Sequence, residues 1–255
     1  MNIFKQLIVS LYSPKHISSF RSQGIGKTIL YVFILTFLSV IPTIVYFSTA
    51  LVNGINLAQE TIQQKLPSFL IENGQLTSSH NETITIHQGG FTIIFDPSGD
   101  LSVNDLDSSI DSLALLQNEL AVTAGGTIDS FSYSMLSDIS LSKDDMLQFV
   151  DTIDSLLVII ISIFSIVIYL FASGIKFIGV TILALVGLIL KKDNGNTLPY
   201  RYIWRMAAYS MTLSTVFFMI MDFLHTVVPF GFVLSWLISV LVLYLALKEI
   251  QKEQI

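Results

Sequence analysis

Residues 29–52 read ILYVFILTFLSVIPTIVYFSTALV and contain no charged side chain. About 20 apolar residues in a helix cross the ~30 Å hydrocarbon core of a bilayer. Three further apolar stretches follow, at 155–190, 206–225 and 232–247. Lipid offers no partner to free peptide N–H and C=O groups, so spanning segments close their hydrogen bonds internally, as helices do. The composition agrees, with 52% hydrophobic and only 13% charged residues and a mean hydropathy of +0.70. The expected fold is a membrane α-helical bundle of four spans. The chain has no cysteine, which excludes disulfides, thiolate nucleophiles and cysteine-ligated metals.

Residues 53–150 are too polar to span and are expected to form an acidic α+β domain between the first and second spans. Asn53 to Leu70 reads as a helix continuing from the membrane. Glu82–His87 alternates, Gln88-Gly89-Gly90 supplies a turn, and Phe91–Phe95 reads as the returning strand. Leu120–Thr123 and Ile128–Tyr133 flank Gly125-Gly126 as a second strand pair. Ser142 followed by Asp145 has the spacing of a helix cap. Residues 53–155 carry fifteen acids and two lysines, net −13, whereas the rest carries eleven basic side chains and four acids, net +7. A chain that separates charge so strongly is expected to sort it across a membrane, with the basic parts held in the cytoplasm.

Topology follows from that rule. Residues 1–28 hold Lys5, Lys15, Arg21 and Lys27 and no acid. Phe4, Leu7, Ile8 and Leu11 fall at helical spacing, which predicts an interfacial helix in this cytoplasmic leader. The span at 29–52 then reads as an uncleaved signal anchor bent at Pro42. The loop 191–205 is basic and should be cytoplasmic, so the chain crosses an odd number of times between residues 53 and 191. One long, tilted span over 155–190 satisfies this, with Lys176 snorkelling outward. Its alternative is two short spans turning at Ser173-Gly174-Ile175-Lys176. Spans at 206–225 and 232–247 and a basic tail at 248–255 complete a multi-pass cell-membrane protein with both termini cytoplasmic.

The segments LYSPKHISSFRSQGIGKTILYV (11–32) and YRYIWRMAAYSMT (200–212), with Pro42 in the first span, resemble a bacterial membrane family labelled as domain of unknown function 1189. Some members of that family are called maltodextrin-utilisation proteins. More distantly, the chain is similar to the Yip (Ypt-interacting protein) superfamily. In the wider Yip group a proline commonly follows the Tyr-Ser pair of the third span. Here Tyr209-Ser210 is followed by Met211-Thr212-Leu213. The resemblance implies an accessory role beside a sugar transporter or, by fold-level analogy, a role in membrane shaping.

Motifs for chemistry are sparse. His16, His80, His87 and His225 are scattered, and the chain contains no HExxH, GxSxG, Walker A or GxGxxG pattern; no enzyme activity and no cofactor are expected. Asp96, Ser98, Asp100, Ser102, Asn104 and Asp107 fall in the register of a calcium loop, but Leu101 stands where glycine is required. Asp96, Ser98, Asp100 and Asp107 are therefore metal candidates set against an Asx-type turn. Arg201, Tyr202, Trp204 and Arg205 form an aromatic–basic cluster suited to lipid anchoring or a partner. Lys176, Asp222 and His225 are ionisable groups within or near spans, a position that is often functional. The mostly uncharged spans otherwise leave little lining for a conduit. The expected partners are the lipid bilayer and a membrane protein met by the outer domain, with no nucleic acid. The expected function is that of a non-enzymatic accessory or scaffold protein; a small transporter or channel, or an envelope sensor, is the alternative.

Overall fold

The computed structural model describes every residue except 89, 137–139, 193–197 and 253–255. Gly89 of the expected turn, Asp138 of the acidic set, the centre of the 191–205 loop and the end of the tail lie outside the described residues. The chain combines helices with two β-sheets. It divides into two compact units, Met1–Thr49 with Ile159–Ile255, and Ala50–Val158. Among the described residues, four helical stretches are long and apolar enough to cross a membrane: Ile25–Lys65, Lys143–Lys191, Tyr200–Phe223 and Gly231–Ile250.

The first unit opens with two short capped helices, α1 (Ile3–Ser10) and α2 (Pro14–Ser19). The Asn2 side chain accepts from Phe4 N, and Ser13 accepts from His16 N with Pro14 at the first turn, as helix starts require. Helix α1 buries Gln6, Val9 and Ser10 and leaves Phe4 and Ile8 exposed. Helix α3 (Ile25–Glu60) continues through Pro42 and closes in a π turn over Thr61–Lys65. It therefore starts before residue 29 and ends before the expected Leu70. Helix α4 (Lys143–Lys192) is continuous over 50 residues, including Ser173–Lys176. The third apolar stretch is α5 (Tyr200–Ser210) and α6 (Thr212–Phe223), joined at Met211; α7 (Gly231–Lys252) follows.

In lipid, helices associate through close packing and interhelical hydrogen bonds rather than through hydrophobic burial. A Cβ placed on Gly187 would lie 2.6 Å from Ile203 Cγ2 and 2.9 Å from Leu243 Cδ2, so α4, α5 and α7 approach closely there. The core gathers Ile17, Phe20, Tyr31, Met206, Tyr209 and Leu243. The Tyr209 ring lies 4.1 Å from Tyr31 and 4.6 Å from Phe20. Its hydroxyl donates to Gln6 Oε1 at 3.0 Å, and the Gln6 amide donates to Gln23 Oε1 at 3.0 Å. The Tyr31 hydroxyl pairs with Thr212. Such bonds contribute about 0.6 kcal/mol each on average in membranes. Segments 11–32 and 200–212 thus meet in one core.

The second unit contains a five-stranded sheet in the order β3 (Ile84–Gln88), β4 (Phe91–Phe95), β5 (Ser112–Leu115), β6 (Glu119–Ala124), β7 (Thr127–Ser132). Both hairpins expected from the sequence are present and antiparallel. The pairing of β4 with β5 is parallel, with residues 96–111 returning the chain. The strand period of two sends Ile93 and Phe95 to one apolar cluster with Leu115 and Ile62. Ile94 and Ala114 go to another with Leu106 and Leu116. A second sheet, β2 (Gln75–Ser78), β1 (Phe69–Glu72), β8 (Leu141–Ser142), was not expected. The β1–β2 turn is Asn73-Gly74, both with positive φ (54° and 79°), the geometry that Asn-Gly hairpins favour. At the start of α4, Asp145 accepts from Ser142 N and Ser142 Oγ accepts from Asp145 N, the reciprocal cap expected from the sequence.

Candidate functional site

The calcium-loop residues do not converge. Asp96 is fully buried. Its carboxylate accepts from Ser98 N and Oγ, Leu101 N and Thr83 Oγ1. Burial acts to raise its pKa, but these hydrogen bonds together outweigh burial and hold it below the usual carboxylate range. Asp107 accepts from Ser109 in a separate turn, and Asp105 caps another with Ser102. These bonds lower both carboxyls. Ser98 is held by Asp96, and Asp100 is exposed. Among the described residues no group of three or more His, Asp or Glu could hold a metal ion. His80 lies 4.0 Å from Glu82, and His87 pairs with Thr92 at 3.0 Å.

The aromatic–basic cluster is tied into its neighbours. Arg205 Nη1 donates to Arg21 O at 2.9 Å, and Trp204 Nε1 donates to Thr181 Oγ1 at 3.3 Å while its ring stacks on Phe177. Tyr202 lies under both guanidinium groups, 5.0 Å from that of Arg201 and 5.7 Å from that of Arg205. Arg205 and Trp204 thus fasten α5 to its surroundings, and Arg201 keeps an exposed position.

The three membrane-region candidates lie along one run of cavities within the first unit. The Tyr46 hydroxyl on α3 donates to the carbonyls of Asp222 and Phe223 at 3.0 and 2.9 Å. These are the last two carbonyls of α6, and that of Asp222 also accepts from His225 N at 3.0 Å. The Tyr46 ring packs 4.2 Å from that of His225, a residue of left-handed backbone (φ 51°). A cavity of about 770 Å³ lies here, lined by Tyr46, Asp222 and His225. Asp222 also lines a second cavity of about 280 Å³ with Ser39, Lys176, Ser214 and Thr215. Lys176, Ser39 and Ser235 continue into a third, of about 440 Å³, beside Ser239 and Trp236.

Lys176 corrects the snorkelling expectation. Its Nζ donates to Thr215 Oγ1 on α6 at 3.0 Å, so the ammonium ends against a neighbouring helix instead of extending outward. It forms no ion pair among the described residues. A lysine at the centre of a span costs about 2.5–3.5 kcal/mol to insert, and one hydroxyl uses a single donor of its three. The expectation of little polar lining is also corrected. Ser39, Ser214, Thr215, Ser235 and Ser239 gather at the lysine from three helices, and Ser214 and Ser239 share a 2.8 Å hydrogen bond. Uncharged hydroxyls leave no charge pattern in the sequence to mark them. The four-residue spacing of Ser235 and Ser239 was the available signal.

The family described as protein of unknown function (DUF1189) matches residues 4–247. The chain belongs to the DUF1189 family. The match takes in all three cavities, the whole of Ala50–Val158 and, of the other unit of this DUF1189 protein, all but residues 1–3 and 248–255. No curated protein and no solved structure matches the chain.

Proposed function

We propose that this DUF1189 protein is a non-enzymatic accessory protein of the cell membrane, whose residues 50–158 stand outside the cytoplasm and bind a partner protein. One observation carries the reading: the charge boundary coincides with the packing boundary. Ala50–Val158 contains all fifteen acids and both lysines of the acidic segment, net −13, and the remaining residues carry net +7. Cytoplasmic retention of Lys and Arg then sets the orientation. The leader, the 191–205 loop and the tail stay inside, and α3, α4, α5 with α6, and α7 are the four spans.

The surface that suits a partner is the edge strand β7. Its outer side is unpaired in the five-stranded sheet, and Phe131 on it is 57% exposed. Open strand edges are templates for an added strand, with neighbouring side chains supplying specificity. A sugar-uptake complex is the partner class that the family resemblance implies. A photo-crosslinking residue at position 131 or 129, in living cells, is expected to capture one protein in stoichiometric yield, and Phe131→Asp is expected to reduce co-purification of that protein. A chain that stays uncrosslinked from both positions and purifies alone and monodisperse in mild detergent would refute the reading.

A further inference from the structure

We propose that the cavity at Lys176 binds an amphiphile with an anionic head group, carboxylate or phosphate, its tail lying along the apolar wall of the same cavity. The inference is independent of the partner-binding reading. Three observations carry it. The ammonium of Lys176 sits inside an apolar helical stretch with one neutral partner, Thr215, and no ion pair among the described residues. Such a cation gains most from an anion that brings hydrogen-bond acceptors. The cavity is also divided in character. Ser39, Ser235 and Ser239 line it together with the lysine, and Ile175, Ile178 and Trp236 are among its apolar lining. That division matches a charged head on a hydrocarbon tail. The volume of about 440 Å³ falls within the ~300–1,000 Å³ typical of small-molecule sites.

The route of access favours a membrane source. The rim residues Ile175, Ile178 and Phe232 are 69%, 62% and 78% exposed, so an acyl chain meets apolar side chains on the way in. The adjoining cavity is lined by Asp222 as well as Lys176, so a soluble anion entering it shares the space with a carboxylate. Repulsion by that carboxylate disfavours free phosphate as the guest.

Trp236 reports on the site directly. The chain has two tryptophans, and the other, Trp204, is engaged with Thr181 and Phe177 away from the cavity. Full-length Trp204→Phe protein in neutral detergent is titrated with stearate brominated at mid-chain, with its methyl ester, and with brominated phosphatidylglycerol and phosphatidylcholine. Saturable quenching of Trp236 is expected from the anionic probes and not from the ester or phosphatidylcholine. Relative strength of the stearate and phosphatidylglycerol responses identifies which head group is preferred. Lys176→Gln is expected to raise the apparent Kd about tenfold or more, and Lys176→Arg is expected to retain binding. Equal quenching by the ester, an unchanged Kd in Lys176→Gln, or displacement of brominated stearate by equimolar inorganic phosphate would each overturn the proposal. The ester comparison uses the native lysine and therefore holds even where a Lys176 variant fails to fold.

Discussion

Asp96 lies between opposing forces. It is fully buried, which penalises its charge, yet it accepts four hydrogen bonds that favour the charge, and the bonds win. A folded-state pKa below the unfolded value, ~3.9 for Asp, has a definite sign. The stabilisation is complete above the unfolded pKa and is lost as pH falls through the folded one. Asp96→Asn keeps the shape but removes the charge. It is expected to lower stability at pH 7 by about 1.5–3 kcal/mol, the size of hydrogen bonds to a charged group, and to flatten the loss of stability in acid. Protease resistance of residues 50–158 in the full-length protein, followed against temperature at neutral and acidic pH, measures both effects. A variant with the acid sensitivity of the parent would remove Asp96 as the cause. The Asx-turn reading of Asp96–Ser98 was legible in the sequence because such turns form between near neighbours.

Two of the three glycines of helix α4, Gly174 and Gly187, lie in contrasting surroundings. At Gly174 an added Cβ meets nothing within 4 Å, whereas at Gly187 it meets Ile203 and Leu243 at under 3 Å. Small residues at such points let membrane helices approach, and overpacking costs about 1–3 kcal/mol. Gly187→Leu is therefore expected to lower the thermal midpoint in detergent by several degrees, with Gly174→Ala close to neutral. Equal effects from the two would contradict the helix contact seen at Gly187. In the second unit, the hairpins at 84–95 and 119–132 were readable from alternation and paired glycines. The β1–β2 hairpin was not expected although Asn73-Gly74 announces it, because the helix expected over Asn53 to Leu70 covers the start of β1. The short β8 and the parallel β4–β5 pair left no local signal, since a partner strand distant in sequence decides them.

For the molecule as a whole, the absence of cysteine makes every single-cysteine variant a clean topological reporter. Asp100, Asp129, Lys5 and Arg201 are all exposed. Impermeant maleimide added to intact cells is expected to label Asp100→Cys and Asp129→Cys. Lys5→Cys and Arg201→Cys are expected to react only after permeabilisation. Labelling of Asp100→Cys and Arg201→Cys under the same condition would break the proposed orientation. The prediction rests on charge, which sorts loops at insertion and needs no folded structure.

The apolar spans, the acidic segment and the two glycine-centred hairpins were written in the sequence because each depends on a side chain's own transfer free energy or on immediate neighbours, and such terms accumulate along the chain. The tertiary structure alone decided that Ser39, Lys176, Thr215 and Ser235 share a cavity, that Tyr46 caps α6 and that Gln6 reaches Tyr209. Those relations join residues tens to hundreds of positions apart. Distance and orientation between packed helices set them, and periodicity along one helix reveals which face is apolar but not which neighbour will cover it.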